Sequence, residues 1–182
     1  MPVSENTLAR SAAPRSAPDR NQNRLGSRRH GIDVTAEYAR LAEEDESAAS
    51  LLQQSGCHRQ AIYFYVQAME KRVRAKIFTL VSPTHRFFRD ENRHHSVEEA
   101  LVFLLKVIRL DTPMAETVQK MVDRYVIGGI EYARLHNNLR YPYFSERFQS
   151  YSCLDVGKAV VARVAEALRY LKTLLIDLDR FR

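Results

Sequence analysis

The chain has 182 residues, is 45% hydrophobic and 27% charged, and carries a net charge of +6, a composition that supports one globular domain with a real core. No run approaches the roughly 20 apolar residues of a membrane span, and the N-terminus lacks the apolar stretch of a secretory signal. Neither a membrane span nor secretion is expected, and the cytoplasm is the expected compartment. Cys57 and Cys153 have no metal-ligand spacing, so neither a disulfide framework nor a metal or other cofactor is expected, and each reads as a small hydrophobe in a reducing compartment.

The charge is concentrated at the start. Residues 1–31 hold six arginines (Arg10, Arg15, Arg20, Arg24, Arg28, Arg29) against two acids (Glu5, Asp19), or +4 of the +6. The segment has almost nothing to bury, so residues 1–33 are expected to form a disordered, Arg-rich tail. An organelle transit peptide has a similar composition, but Pro2, Pro14 and Pro18 break any amphipathic helix there. The folded part, residues 34–182, is nearly balanced in charge, and charge alone does not make it a nucleic-acid surface.

From Val34 onward the spacing predicts helices. Tyr38, Leu41, Ala42, Ala48, Ala49 and Leu52 recur at three- and four-residue steps up to Gly56. A second stripe, Ile62, Val66, Met69, Val73, Ile77 and Leu80, ends at Ser82–Pro83, where proline disfavours helix in the residue before it. A tight turn at Gly56–His58 makes the two an antiparallel hairpin.

Residues 82–95 read as a basic loop in which Phe87 and Phe88 pin the chain to the bundle. Ser96 with Glu99 forms a capping box opening a helix that carries Leu101, Leu104, Leu105 and Ile108. Thr112–Pro113 opens the next helix, which is expected to run through Val118, Val122 and Tyr125 toward His136. Gly128–Gly129 inside it costs roughly 2 kcal/mol against alanines, a sign of close helix approach or a kink. Tyr141–Tyr151 reads as a packed aromatic corner. Ser152 is expected to cap the last helix, with Val156, Val160, Val164, Leu168, Leu171, Leu175 and Leu178 on one face. No run alternates as a strand does. The predicted fold class is all-α, an up-and-down bundle of four to five helices behind the tail.

The second helix contains Gln67-Ala68-Met69-Glu70-Lys71, preceded by Leu51-Leu52 and Gly56; His94–His95 stand before the helix 96–105; Arg140-Tyr141-Pro142 follows the fourth. In this order the landmarks resemble the HEPN family over about residues 35–180. The resemblance implies a helical bundle that commonly forms a homodimer. It also spans metal-independent ribonucleases of toxin and defence systems, nucleotide-binding domains, and non-catalytic antitoxin or adaptor modules, some paired with a nucleotidyltransferase partner protein. Fold alone does not choose among them.

Two groups of residues are candidates for chemistry. HEPN ribonucleases carry an Arg, a polar residue and, a few positions on, a His. The Arg holds the scissile phosphate and the His moves the proton of the 2′-hydroxyl. Arg89, Asp90 and His94 satisfy that spacing, although the motif normally lies on the later helix, so a solvated basic loop competes with catalysis. The second group is Tyr132, His136, Asn137, Arg140 and Tyr141. With helix persisting, Tyr132, His136 and Arg140 share a face and form a pocket for a nucleotide or RNA phosphate. The competing reading has His136 and the asparagines capping the helix end and Arg140 paired with a carboxylate.

Overall fold

The computed structural model describes residues 29–91, 96–108 and 112–178, and for residues 112, 134 and 136 the backbone alone. The expected tail falls almost wholly outside the described residues. The chain divides at Gly31 into two units, and every helix and strand among the described residues lies in the second, Ile32–Arg182.

Helix α1 (Val34–Gln54) begins at a cap that periodicity does not reveal: Asp33 accepts from the backbone N–H groups of Thr35 at 2.9 Å and Ala36 at 3.2 Å. It ends on Gly56, at φ +76°. The Gly56 N–H reaches the Gln53 carbonyl at 3.1 Å and the Cys57 N–H that of Leu52 at 2.8 Å. This crossed pair of bonds needs a left-handed residue between helix and exit, and glycine adopts it without steric penalty.

The chain turns straight into α2 (His58–Leu80), the central element, which packs against α1 and, further on in the chain, against α4, α6 and α7. Its buried face is Ile62, Val66, Met69, Val73 and Ile77, as the stripe predicts. The α1–α2 seam is also ionic. Asp45 takes Lys71, and Glu46 takes Arg72 at 2.5 Å and, from α7, Lys172 at 2.8 Å. Within the Gln-Ala-Met-Glu-Lys run, Lys71 thus turns to α1, while Glu70 holds Arg74 at 2.8 Å, one turn on, with both side chains almost wholly out of water.

A short α3 (Arg86–Glu91) leads toward α4 (Val97–Val107). Phe88 and Phe87 lie 6.2 and 6.5 Å from the ring of Phe103, so the pair does fasten the connection to the bundle. Ser96 caps α4 by accepting the Glu99 N–H at 3.3 Å. Then comes α5 (Thr112–Met121), continued by a π-helical turn, Val122–Ile127. The long fourth helix expected to reach His136 does not exist as one rod. Gly128 and Gly129 both take positive φ, +53° and +75°, which ends the helix, and α6 (Tyr132–Asn138) starts afresh.

Two more expectations are corrected beyond α6. The aromatic segment forms an antiparallel hairpin, β1 (Tyr143–Ser145) with β2 (Ser150–Ser152), Phe144 opposite Tyr151. It is not a packed corner: Tyr141, Phe144, Phe148 and Tyr151 are all exposed. Ser152 therefore ends a strand, and the last helix, α7 (Lys158–Asp177), begins at Gly157 without a side-chain cap. Its buried face is Val161, Val164, Leu168, Leu171, Leu174 and Leu175, while Val160 is exposed. Cys57 and Cys153 are exposed as well, not core residues. The architecture is an all-α bundle around α2 and α7 with one small hairpin attached. No helix among the described residues is long and apolar enough to cross a membrane.

Candidate functional site

The segment that carries Arg140 is held in place from both ends. At its start, α6 has no cap of its own, and Glu98 of α4 supplies one. That carboxylate accepts the N–H of Tyr132 at 2.6 Å and of Ala133 at 3.3 Å, satisfying two of the donors a helix leaves open at its N-terminus. Ser96, the α4 cap, donates its hydroxyl to the same Glu98 carboxylate at 2.7 Å, so one serine and one glutamate start two helices. At its end, α6 stops at Asn138 and buries Leu139. The Asn137 carbonyl accepts the N–H groups of Arg140 at 3.1 Å and Tyr141 at 3.2 Å. The turn is tied back to α2 by Arg59, whose Nε donates to the Leu139 carbonyl.

This turn and α2 enclose a cleft of about 570 Å³, lined by Arg59, Gln60, Tyr63 and Phe64 on one side and by Leu139, Arg140, Tyr141 and Pro142 on the other. The Arg140 guanidinium lies 5.2 Å from the centre of the Tyr141 ring and 5.8 Å from that of Tyr63, within cation–π range of both. Among the described residues no carboxylate pairs with Arg140. The volume falls in the range of small-ligand sites. The contents are a guanidinium, a second arginine, an amide and three aromatic rings, which suit a phosphate joined to a planar base.

Of the five residues placed in this pocket by helical spacing, Arg140 and Tyr141 line it. Asn137 contributes through its backbone, by shaping the turn. The His136 side chain lies outside the described residues. Tyr132 does not belong to the pocket: it is 1% exposed and its hydroxyl donates to the Val126 carbonyl at 2.7 Å. Burial, reinforced by the Glu98 carboxylate and only partly offset by Arg163, pushes its phenol well above the usual range, so it stays a neutral structural donor. Helical spacing misplaces Tyr132 because it needs one helix from 132 to 140, whereas α6 begins at Tyr132 and ends before Arg140. The α2 side of the cleft is the part that spacing misses. Arg59 and Tyr63 are four apart on one helix and so share a face, but nothing in the sequence sets that face opposite Arg140.

Arg89 and Asp90 lie on α3, where Asp90 faces Arg86 at 3.5 Å; His94 lies outside the described residues. Neither Arg89 nor Asp90 lines the Arg140 cleft. A separate cleft of about 400 Å³ between α1, α2 and α7 contains Arg72, Lys76 and Lys172. Glu46 neutralises two of these cations, and the walls are otherwise largely apolar, so it presents a weaker anion site. No group of three or more His, Cys, Asp or Glu that could hold a metal occurs among the described residues. Comparison with protein-family models, curated proteins and solved structures returns no match for this chain.

Proposed function

We propose that this protein binds a nucleotide or an RNA phosphate in the cleft between α2 and the turn after α6, with Arg140 as the principal cation. The observation that carries this is the Arg140 guanidinium set against Tyr63 and Tyr141, with no carboxylate among the described residues to neutralise it. Arginine presents a planar fork that matches two phosphate oxygens at once, and an aromatic ring beside it offers a stacking face for a base. Arg59, anchored through Nε, keeps its terminal N–H groups for a second phosphate contact. The resemblance to the HEPN family, in which nucleotide- and RNA-associated members occur, supports the same reading through Arg140-Tyr141-Pro142.

The test is a titration of the full chain with AMP and with a short unstructured RNA, followed by thermal stabilisation and by tyrosine fluorescence. Saturable binding is expected to weaken at least tenfold in Arg140→Ala, which deletes a charge-assisted bond of about 1.5–3 kcal/mol, and to weaken in Tyr63→Leu. Absence of any saturable response to either ligand in the unmodified protein rejects the assignment.

A further inference from the structure

We propose a second anion site, independent of the Arg140 cleft, where the π-helical turn meets α7; its ligand is a small phosphate dianion, a phosphate monoester or pyrophosphate. The cleft there measures about 290 Å³ and its walls include Arg124, Tyr125, Gly128, Arg163, Glu166 and Tyr170.

Four features converge on it. First, the backbone is unusual: a π-helical turn over Val122–Ile127 widens the helix by about one residue per turn, a geometry found mostly as single turns within helices and frequently at functional sites. The closing bond, from the Gly128 N–H to the Asp123 carbonyl at 2.8 Å, spans five residues, which rotates Arg124 and Tyr125 relative to where an α-helix would leave them. Second, the positive φ of Gly128 turns its carbonyl into the cleft's wall, where it accepts a bond from the Arg163 guanidinium. A Cβ at Gly128 would lie at ordinary contact distance, 3.6 Å from that guanidinium and 3.4 Å from the Arg124 carbonyl, so it is the positive φ that calls for glycine here. One edge of Arg163 is thereby fixed.

Third, the cations outnumber the acids that could quench them. Glu166 is the acid in the cleft wall, and it is engaged by Arg169 at 3.1 Å. Neither Arg124 nor Arg163 has a carboxylate partner among the described residues. Two guanidiniums facing one small space repel each other, and a dianion relieves that while filling both forks. Fourth, one of the two cations is braced by a ring: Arg124 lies 5.1 Å from the Tyr125 ring centre, and Tyr125 in turn lies 5.1 Å from Tyr170 across the cleft wall. Guanidiniums held against aromatic faces lose less freedom on capturing an anion.

The decisive experiment is calorimetric titration of the full chain with inorganic pyrophosphate at low salt. Arg124→Gln, Arg163→Gln and the double variant are run beside Arg140→Gln, all checked for unchanged helical content by circular dichroism. A parallel arm with a 5′-phosphorylated and a 5′-hydroxyl trinucleotide tells a free small phosphate from a chain-end phosphate. One saturable site is expected, weakened at least tenfold by either single variant, abolished by the double and unchanged in Arg140→Gln. No saturable pyrophosphate binding, or binding that the double variant retains, overturns the proposal. Binding lost in Arg140→Gln alone overturns it too, and moves the anion to the other cleft.

Discussion

The Glu98 carboxylate and the Tyr132 amide, 2.6 Å apart, join the start of α4 to the start of α6. Through that bond a helix of seven residues, too short to be stable by itself, is given a fixed origin, and Arg140 inherits the position. Replacing Glu98 by alanine removes a charged acceptor from two backbone donors and leaves Ser96 without its partner. The expected loss is about 2 kcal/mol, read from urea denaturation. Pocket ligands should also bind more weakly in Glu98→Ala although Glu98 does not line the cleft. A variant as stable as the parent contradicts the tertiary cap.

Glu70 and Arg74 invite a double-mutant cycle. Their contact is 2.8 Å and nearly dry, and a buried pair of this sort is far more sensitive to losing one member than to losing both. Arg74→Met removes the guanidinium that neutralises a buried carboxylate and is expected to cost about 3–5 kcal/mol. The double change Glu70→Leu with Arg74→Met is expected to recover at least half of that. Additive losses in chemical denaturation show instead that the two residues act separately.

The hairpin of α1 and α2 is legible in the sequence because nothing interrupts its apolar stripes and Gly56 punctuates them. The break at Gly128–Gly129 is visible there only as a cost. Whether two glycines kink a helix or end it depends on the φ values they adopt, and the Arg163–Gly128 bond that accompanies them comes from a residue far along the chain. The β1–β2 hairpin leaves no mark, because three-residue strands are too short to show alternation and their aromatic residues mimic a core segment. Ser152 resembles a cap because serine serves a strand end equally well, while Gly157, the true start of α7, offers no side-chain signal. Arg140 stands out through its Arg-Tyr-Pro context. Its partners on α2 do not, since the seam that brings Arg59 to Leu139 is a tertiary fact.

Acid should expose the role of Glu46. Burial alone would raise its carboxyl, but hydrogen bonds from Lys172 and Arg72 outweigh that and hold it below the ordinary carboxylate value. A depressed carboxyl contributes stability that is fully present above the unfolded-state pKa and is lost as pH falls through the folded-state value. The difference in Tm between the parent and Glu46→Gln is therefore expected to be constant from about pH 7 to about 5 and to shrink below about 4. A difference that does not shrink at all as pH falls below the unfolded-state value contradicts the charge-based account of the α1–α2–α7 seam.

Gly56 and Gly128 separate two reasons for glycine. Both have positive φ, but a Cβ on Gly56 meets nothing within 4 Å, whereas one on Gly128 meets the Arg124 carbonyl and the Arg163 guanidinium. Gly56→Ala should therefore lose only the backbone contribution, about 1–2 kcal/mol, and Gly56→Asn less, because asparagine tolerates the left-handed region. Gly128→Ala carries the same backbone cost, with its Cβ at ordinary contact distance from both atoms, but the strained residue is the one whose carbonyl holds Arg163, so it should weaken pyrophosphate binding, which Gly56→Ala leaves intact. Denaturation and calorimetry on the three variants provide the check. Equal pyrophosphate affinity in Gly128→Ala and the parent would show that the close approach of Arg163 to Gly128 serves the fold and not the ligand.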